Sequence, residues 1–243
     1  MKVVRALRRR DRGATIIEAA MIMPLLFLLI FGIMETGGLV KAYSSASNAI
    51  RAGGRMAAVA GNDSSADQQI LARMSTEGAG LGKDTINYII IWHSTGPGET
   101  VPANCLSIAN TATGPSASSV GVSDGGTDAM GACNIYVRPA NSGAAFDMAN
   151  GRAGNPTTYY FGCSGSSDAN AAHMVDCRWP ARNRKVVISP RVLPAGSTRL
   201  TPDYVGIYIK VTHRAYTGII SSTHTVTEAT INLLEPSNFG VGT

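Results

Sequence analysis

The chain has 243 residues and a formal charge of +5, enough for one anchor helix and one modest domain. The charge is concentrated rather than spread. Lys2, Arg5, Arg8, Arg9, Arg10 and Arg12 against Asp11 place all of it in residues 1–13, and the remainder sums to zero, which makes a basic nucleic-acid-binding surface a poor inference.

The first element is apolar. Residues 14–40 read ATIIEAAMIMPLLFLLIFGIMETGGLV, and the charge-free part, 19–34, is 16 residues long. A bilayer span takes about 20 residues, so the span reaches back to include Glu18. A carboxylate costs roughly 2.5–3.5 kcal/mol at mid-bilayer and less near an interface. Glu18 therefore either snorkels to the near interface or neutralises a specific cation. No Lys or Arg lies within residues 14–40 to serve as one. A removable signal peptide fits poorly. The apolar run is long, contains Glu18, lacks an A-x-A ending and continues into AYSSASNAIRAGGRMAAVAG. The basic flank before the span orients the N-terminus to the cytoplasm. Pro24 removes the i+4 donor of the Ala20 carbonyl and is expected to kink or loosen the helix.

Beyond Lys41, a stalk helix is expected to run to residue 61. Asn48, Arg51 and Arg55 share one of its faces. Ala46, Ala49, Ala52, Gly53 and Ala57 leave a narrow surface, suited either to close helix packing or to an exposed stalk.

Residues 62–243 are expected to form an exported α+β domain. Ser65 and Gln68 suggest a capping box opening a helix over Ala66–Glu77 that ends near Gly78. The β-branched run Ile86–Ser94 reads as a buried strand, stopped by Gly96-Pro97-Gly98. Residues 95–180, rich in Gly, Ser, Asn and Ala, read as a loop-rich insertion with short strands at 134–137 and 157–161. All four cysteines lie here: Cys105, Cys133, Cys163 and Cys177. An even count with no CxxC pair, on the exported side, favours two disulfides over zinc. Of the three possible connectivities, Cys105–Cys133 with Cys163–Cys177 closes the shortest loops. Strands follow at 185–189, Tyr204–Arg214 and 223–234. In YVGIYIKVTH, Val205, Ile207, Ile209 and Val211 face one way. The last two strands should pair antiparallel across a loop near residues 218–222, join the strand at residue 89 and carry the short helix.

Catalytic chemistry finds no constellation. His93, His173, His213 and His224 are dispersed, although His213 and His224 can meet across the terminal hairpin. Two histidines are not a metal site. Asp147, Asp168 and Asp176 fall among polar loop residues and read as solvated. Walker, G-x-S-x-G and H-E-x-x-H motifs are absent from the sequence. The expectation is no catalytic residue, no metal, no cofactor, no nucleic acid and no small-molecule substrate.

Residues 12–40, RGATIIEAAMIMPLLFLLIFGIMETGGLV, followed by Ala-Ile-Arg-Ala-Gly-Gly-Arg at 49–55, resemble the N-terminal segment of TadE-like proteins. These are minor pseudopilins of the tight-adherence, or Flp-type, pilus system. Gly13, Glu18, Pro24, Glu35, Arg51 and Arg55 carry the resemblance, which is strong over roughly 12–60 and weak beyond. It implies that prepilin peptidase recognises Gly13 and Glu18 and cuts after Gly13, leaving Ala14 as the new N-terminus. Glycine suits a cut site because it has no side chain to keep a protease from the backbone. Ala19 departs from the aromatic that many members carry there. The von Willebrand A domain of a related type, with its D-x-S-x-S motif, is not matched by Asp63-Ser64-Ser65.

The resemblance implies a single-pass protein of the bacterial inner membrane, N-terminus cytoplasmic and domain periplasmic, able to enter an extracellular adhesive pilus. Its partners would be prepilin peptidase, other pilin or pseudopilin subunits and the assembly machinery. Arg51 and Arg55 would serve stalk packing, and Glu18 subunit register. The alternative is an uncleaved, membrane-anchored periplasmic module that recruits a partner through its domain. An exported enzyme has no site to support it.

Overall fold

The computed structural model describes residues 3–63, 65–81, 86–111, 130–137, 174–177, 179, 181, 184–186, 202–218 and 222–235. Its elements are α1 (Val3–Ala60), α2 (Ala66–Glu77), a 3-10 turn (Ala79–Leu81), β1 (Ile86–Ser94), α3 (Ala103–Thr111), β2 (Cys133–Val137), β3 (Met174–Cys177), β4 (Tyr204–Arg214) and β5 (Thr223–Leu233). The architecture is α+β, a long apolar N-terminal helix followed by an antiparallel sheet.

Among the described residues the sheet has five strands in the order β3-β2-β1-β4-β5, each pairing antiparallel. Strand β1 lies at its centre and is buried on both faces, which explains its unbroken apolar run. Ile89 and Ile91 join Val205, Ile207, Ile209 and Val211 in a core shared with α1 and α2. Tyr88, Ile90 and Trp92 face the other way, against Cys105 and Ala109 of α3. Gly206 sits opposite Trp92 in the β1–β4 register. A Cβ there would collide with the indole, so glycine is what lets the largest side chain of this face lie flat.

The expected strand alternation holds in β4, and the terminal hairpin brings His213 opposite His224. The Cys105–Cys133 disulfide is formed, tying α3 to β2. Cys163, and with it the Cys163–Cys177 pairing, lies outside the described residues, as do the strand expected at 157–161, His173, Asp147 and Asp168.

Four expectations are corrected. The insertion supplies a helix, α3, and an edge strand, β3, rather than loops and short strands alone. The helix α3 has only nine residues, too few to be stable alone. Its disulfide and its seat on Tyr88 and Ile90 hold it, and no local pattern announces that. Asp176 lies on β3, not in a loop. Lys185 and Val186 are not in a strand; Lys185 instead exchanges two hydrogen bonds with Asp203. Its backbone N–H donates to Asp203 Oδ2 at 2.7 Å, and its carbonyl accepts from the Asp203 N–H at 2.9 Å. Finally, Ser65 is the N-cap of α2 but makes no capping bond. Its backbone N–H and hydroxyl both donate to Asp63 Oδ1, at 2.7 and 2.6 Å. Those two bonds hold the Asp63 carboxyl below its usual range.

Candidate functional site

The helix α1 runs as one piece through Gly13, Glu18 and Pro24. Its 58 residues make a rod of about 87 Å at 1.5 Å per residue. From residue 15 onward the surroundings change once. In residues 15–34 every side chain is exposed except at Gly32, which is half-buried. The exposed set includes Ile16, Ile17, Met21, Leu25, Leu28, Phe31 and Ile33, together with Glu18. That stretch is ~30 Å long, the thickness of a bilayer's hydrocarbon. It is part of the one helix, among the described residues, that is long and apolar enough to cross a membrane.

Burial begins at Glu35 and recurs at Gly38, Ala42, Ala46, Ala49, Gly53 and Ala57. Steps of three and four residues put these on a single stripe. All but the first are small, so neighbours approach closely. A Cβ on Gly53 would lie 2.6 Å from Met74 Cγ of α2. One on Gly54 would strike Asn232 of β5, and one on Gly38 the ring of Tyr216. The narrow surface anticipated for helix packing is therefore occupied by the chain's own α2 and sheet.

Glu35 starts the stripe with a polar clip. It is 5 % exposed, and its Oε2 accepts from the Thr217 backbone N–H at 3.2 Å and the Thr217 hydroxyl at 3.1 Å. Thr217 belongs to the turn between β4 and β5, so this turn is fastened to α1 where the exposed apolar stretch ends. Sequence reasoning noted Glu35 but not this partner, 182 residues away.

Arg51 and Arg55 are exposed. They line a groove of about 350 Å³ between α1 and α2, with Ala52, Met56 and Val59 along it and Arg73 and Glu77 opposite. Arg73 and Glu77 pair with each other at 3.1 Å, one turn apart on α2.

A second polar centre lies inside the domain and was not legible in sequence. Asp67 of α2 is fully buried. Its Oδ2 accepts from Asn134 Nδ2 at 2.7 Å and the Tyr136 hydroxyl at 2.6 Å, and its Oδ1 pairs with Arg184. The Arg184 guanidinium also lies 4.6 Å from the Trp179 ring centroid, and Trp179 stacks on His93 with 4.6 Å between centroids. Burial and the Asp67 charge push the Tyr136 phenol well above its usual range. His93 Nε2 lies 3.2 Å from Asp203 Oδ1. Burial raises the Asp203 carboxyl, but His93 and the Lys185 N–H outweigh it, leaving the net value lowered. This cluster rivets α2, β1 and β2 to the segments after the insertion. Among the described residues no group of three His, Cys, Asp or Glu is placed to hold a metal.

An apolar helix exposed over one bilayer thickness and continuous with a wall of its own α+β domain has, among the described residues, the form of a single-pass membrane anchor. Residues 13–55 match the family model described as TadE-like protein. That match agrees with the resemblance in the Gly13-to-Arg55 stretch. No curated protein and no solved structure matches the chain.

Proposed function

We propose that the chain is a pilus-assembly pseudopilin, a structural subunit built into or beneath a fibre through the first half of α1. One observation carries this reading. The half of α1 beyond Glu35 is packed by the chain's own domain, whereas residues 15–34, which begin inside the Gly13-to-Glu18 signal, expose large apolar side chains. Residues 1–13 form a cytoplasmic basic leader, 14–61 the anchor and stalk, and 62–243 the exported domain.

Prepilin peptidase cuts after Gly13 and frees the α-amino group of Ala14. That amine is the cation that Glu18 lacks, and it lies at the same membrane depth. Within one helix the two are four residues apart and can pair locally. Between subunits, Glu18 of an incoming chain meets the Ala14 amine of its neighbour and sets the axial register. Breaking such a pair from one side in low dielectric costs ~3–5 kcal/mol.

The test has two parts. Terminal sequencing of the mature chain should begin at Ala14. Glu18→Gln and Glu18→Ala should insert as wild type yet give fewer intersubunit crosslinks and less protein in sheared pilus fractions. Wild-type assembly by both variants would reduce Glu18 to a snorkelling residue.

The groove at Arg51 and Arg55 favours a second reading, an uncleaved anchored module that recruits an acidic partner. A mature mass that retains residues 1–13, in cells carrying the pilus system, would select it.

A further inference from the structure

We propose that Tyr216, just after β4, is a second membrane contact, lying in the lipid headgroup layer and held there through Thr217 and Glu35. The proposal rests on the reading of residues 15–34 as the membrane span.

Helix geometry sets the depth. If residues 15–34 fill the hydrocarbon, Gly38 lies four residues past its edge, or ~6 Å at 1.5 Å per residue. Headgroups occupy roughly 5–7 Å on each side of the hydrocarbon, so Gly38 is level with them. The Tyr216 ring is packed against Gly38, closely enough that a Cβ there would overlap it. An edge-on contact with His213, 5.9 Å between centroids, steadies the ring. Even so, Tyr216 is 65 % exposed. An aromatic ring with a polar tip, exposed at this depth, matches the side chains that line membrane interfaces. Tyr43 of α1 is also exposed, but lies ~14 Å past the span, beyond the headgroups. The two hydrogen bonds from Thr217 to Glu35 fix the turn to the helix beside this ring. The domain is then seated on the bilayer at two points and cannot swing freely about its stalk.

The experiment adds one tryptophan at a time to the full-length chain, in phosphatidylcholine vesicles brominated either near the glycerol or near the acyl-chain ends. Trp92 and Trp179 are fully buried, so wild-type emission should be the same in both vesicles and in unbrominated ones. Leu28→Trp should lose emission most to the deep bromines, which verifies the span. Tyr216→Trp should lose emission to the shallow bromines and not to the deep ones. Quenching of Leu28→Trp without quenching of Tyr216→Trp would overturn the proposal while leaving the span intact. Deep quenching of Tyr216→Trp would overturn the headgroup placement. Absence of quenching at both sites would overturn the span and the proposal with it. Adding Glu35→Ala to Tyr216→Trp should abolish the shallow quenching; its persistence would overturn the role given to Glu35.

Discussion

Residues 15–34 and 35–60 of α1 belong to one unbroken helix, yet their apolar residues are arranged in opposite ways. The first stretch exposes its largest side chains, Phe27, Leu28 and Phe31 among them, on all sides. The second buries its smallest, Ala42, Ala46, Ala49 and Ala57, on one stripe. A helix apolar all round needs an apolar solvent; a stripe of alanines and glycines needs a close protein neighbour. Glu35 stands at the change, its Oε2 held by two hydrogen bonds from Thr217. The lesson is that size and arrangement, more than hydrophobicity, separate the membrane half of such a helix from the domain half.

The largest expected effect tests whether the two halves are independent. The Cys105–Cys133 disulfide lies on the sheet face away from α1 and spans 28 residues. Chain-entropy arguments give a loop of that size roughly 3–4 kcal/mol. Replacing both cysteines by Ser should lower domain stability by that much in denaturant titration. Membrane insertion, read by carbonate extraction, should not change.

Glycine substitutions then contrast the halves directly. Gly53→Leu drives a side chain into Met74, and such overpacking costs about 1–3 kcal/mol. Gly32 has no atom within 4 Å of where its Cβ would lie. Gly32→Leu should therefore leave domain stability within about 0.5 kcal/mol of wild type. Equal losses for the two variants would break the comparison.

Glu35→Ala tests the boundary. Removing the acceptor of two Thr217 bonds should cost about 1–2 kcal/mol and speed hydrogen exchange in the β4–β5 turn before the rest of the sheet.

A titration follows, confined to the domain half. Hydrogen bonds hold Asp63 below its usual range. At Glu99 and Asp203, burial acts in the raising direction but is outweighed by hydrogen bonds from Ser94, Thr95, His93 and Lys185. A depressed carboxyl contributes stability above its unfolded value, near ~4, which is lost as pH falls through the folded value. Burial raises the Tyr88 phenol to about 12 and the Tyr208 phenol as well. Their contribution is present below ~10 and is lost as pH rises through the folded values. Tryptophan fluorescence should show a stability plateau between these limits, while vesicle association of the anchor stays flat across it.

The smallest stability change belongs to Arg51→Glu with Arg55→Glu. Both residues are exposed, so the domain should move by no more than about 0.5 kcal/mol. Recovery in pilus fractions should nevertheless fall, since the groove would repel an acidic partner. Unchanged recovery would remove these arginines from assembly.

Local pattern alone determined the elements with strong periodicity: the apolar span, the helix over Ala66–Glu77, the strand Ile86–Ser94 and the terminal hairpin with His213 opposite His224. In each, neighbours along the chain share one environment, so spacing records burial. The Gly13-to-Arg55 resemblance was legible for the same reason, since its residues lie on one continuous helix. Only the tertiary structure decided which way the narrow face of α1 turned. Ala46, Ala49 and Gly53 suit any close neighbour, and α2 and the sheet, being covalently attached, reach them before another subunit can. Long-range partners were equally hidden. Glu35 finds Thr217, and Asp67 finds Arg184, across 182 and 117 residues. A lone polar residue in sequence says that it needs a partner, but the fold chooses which group meets it.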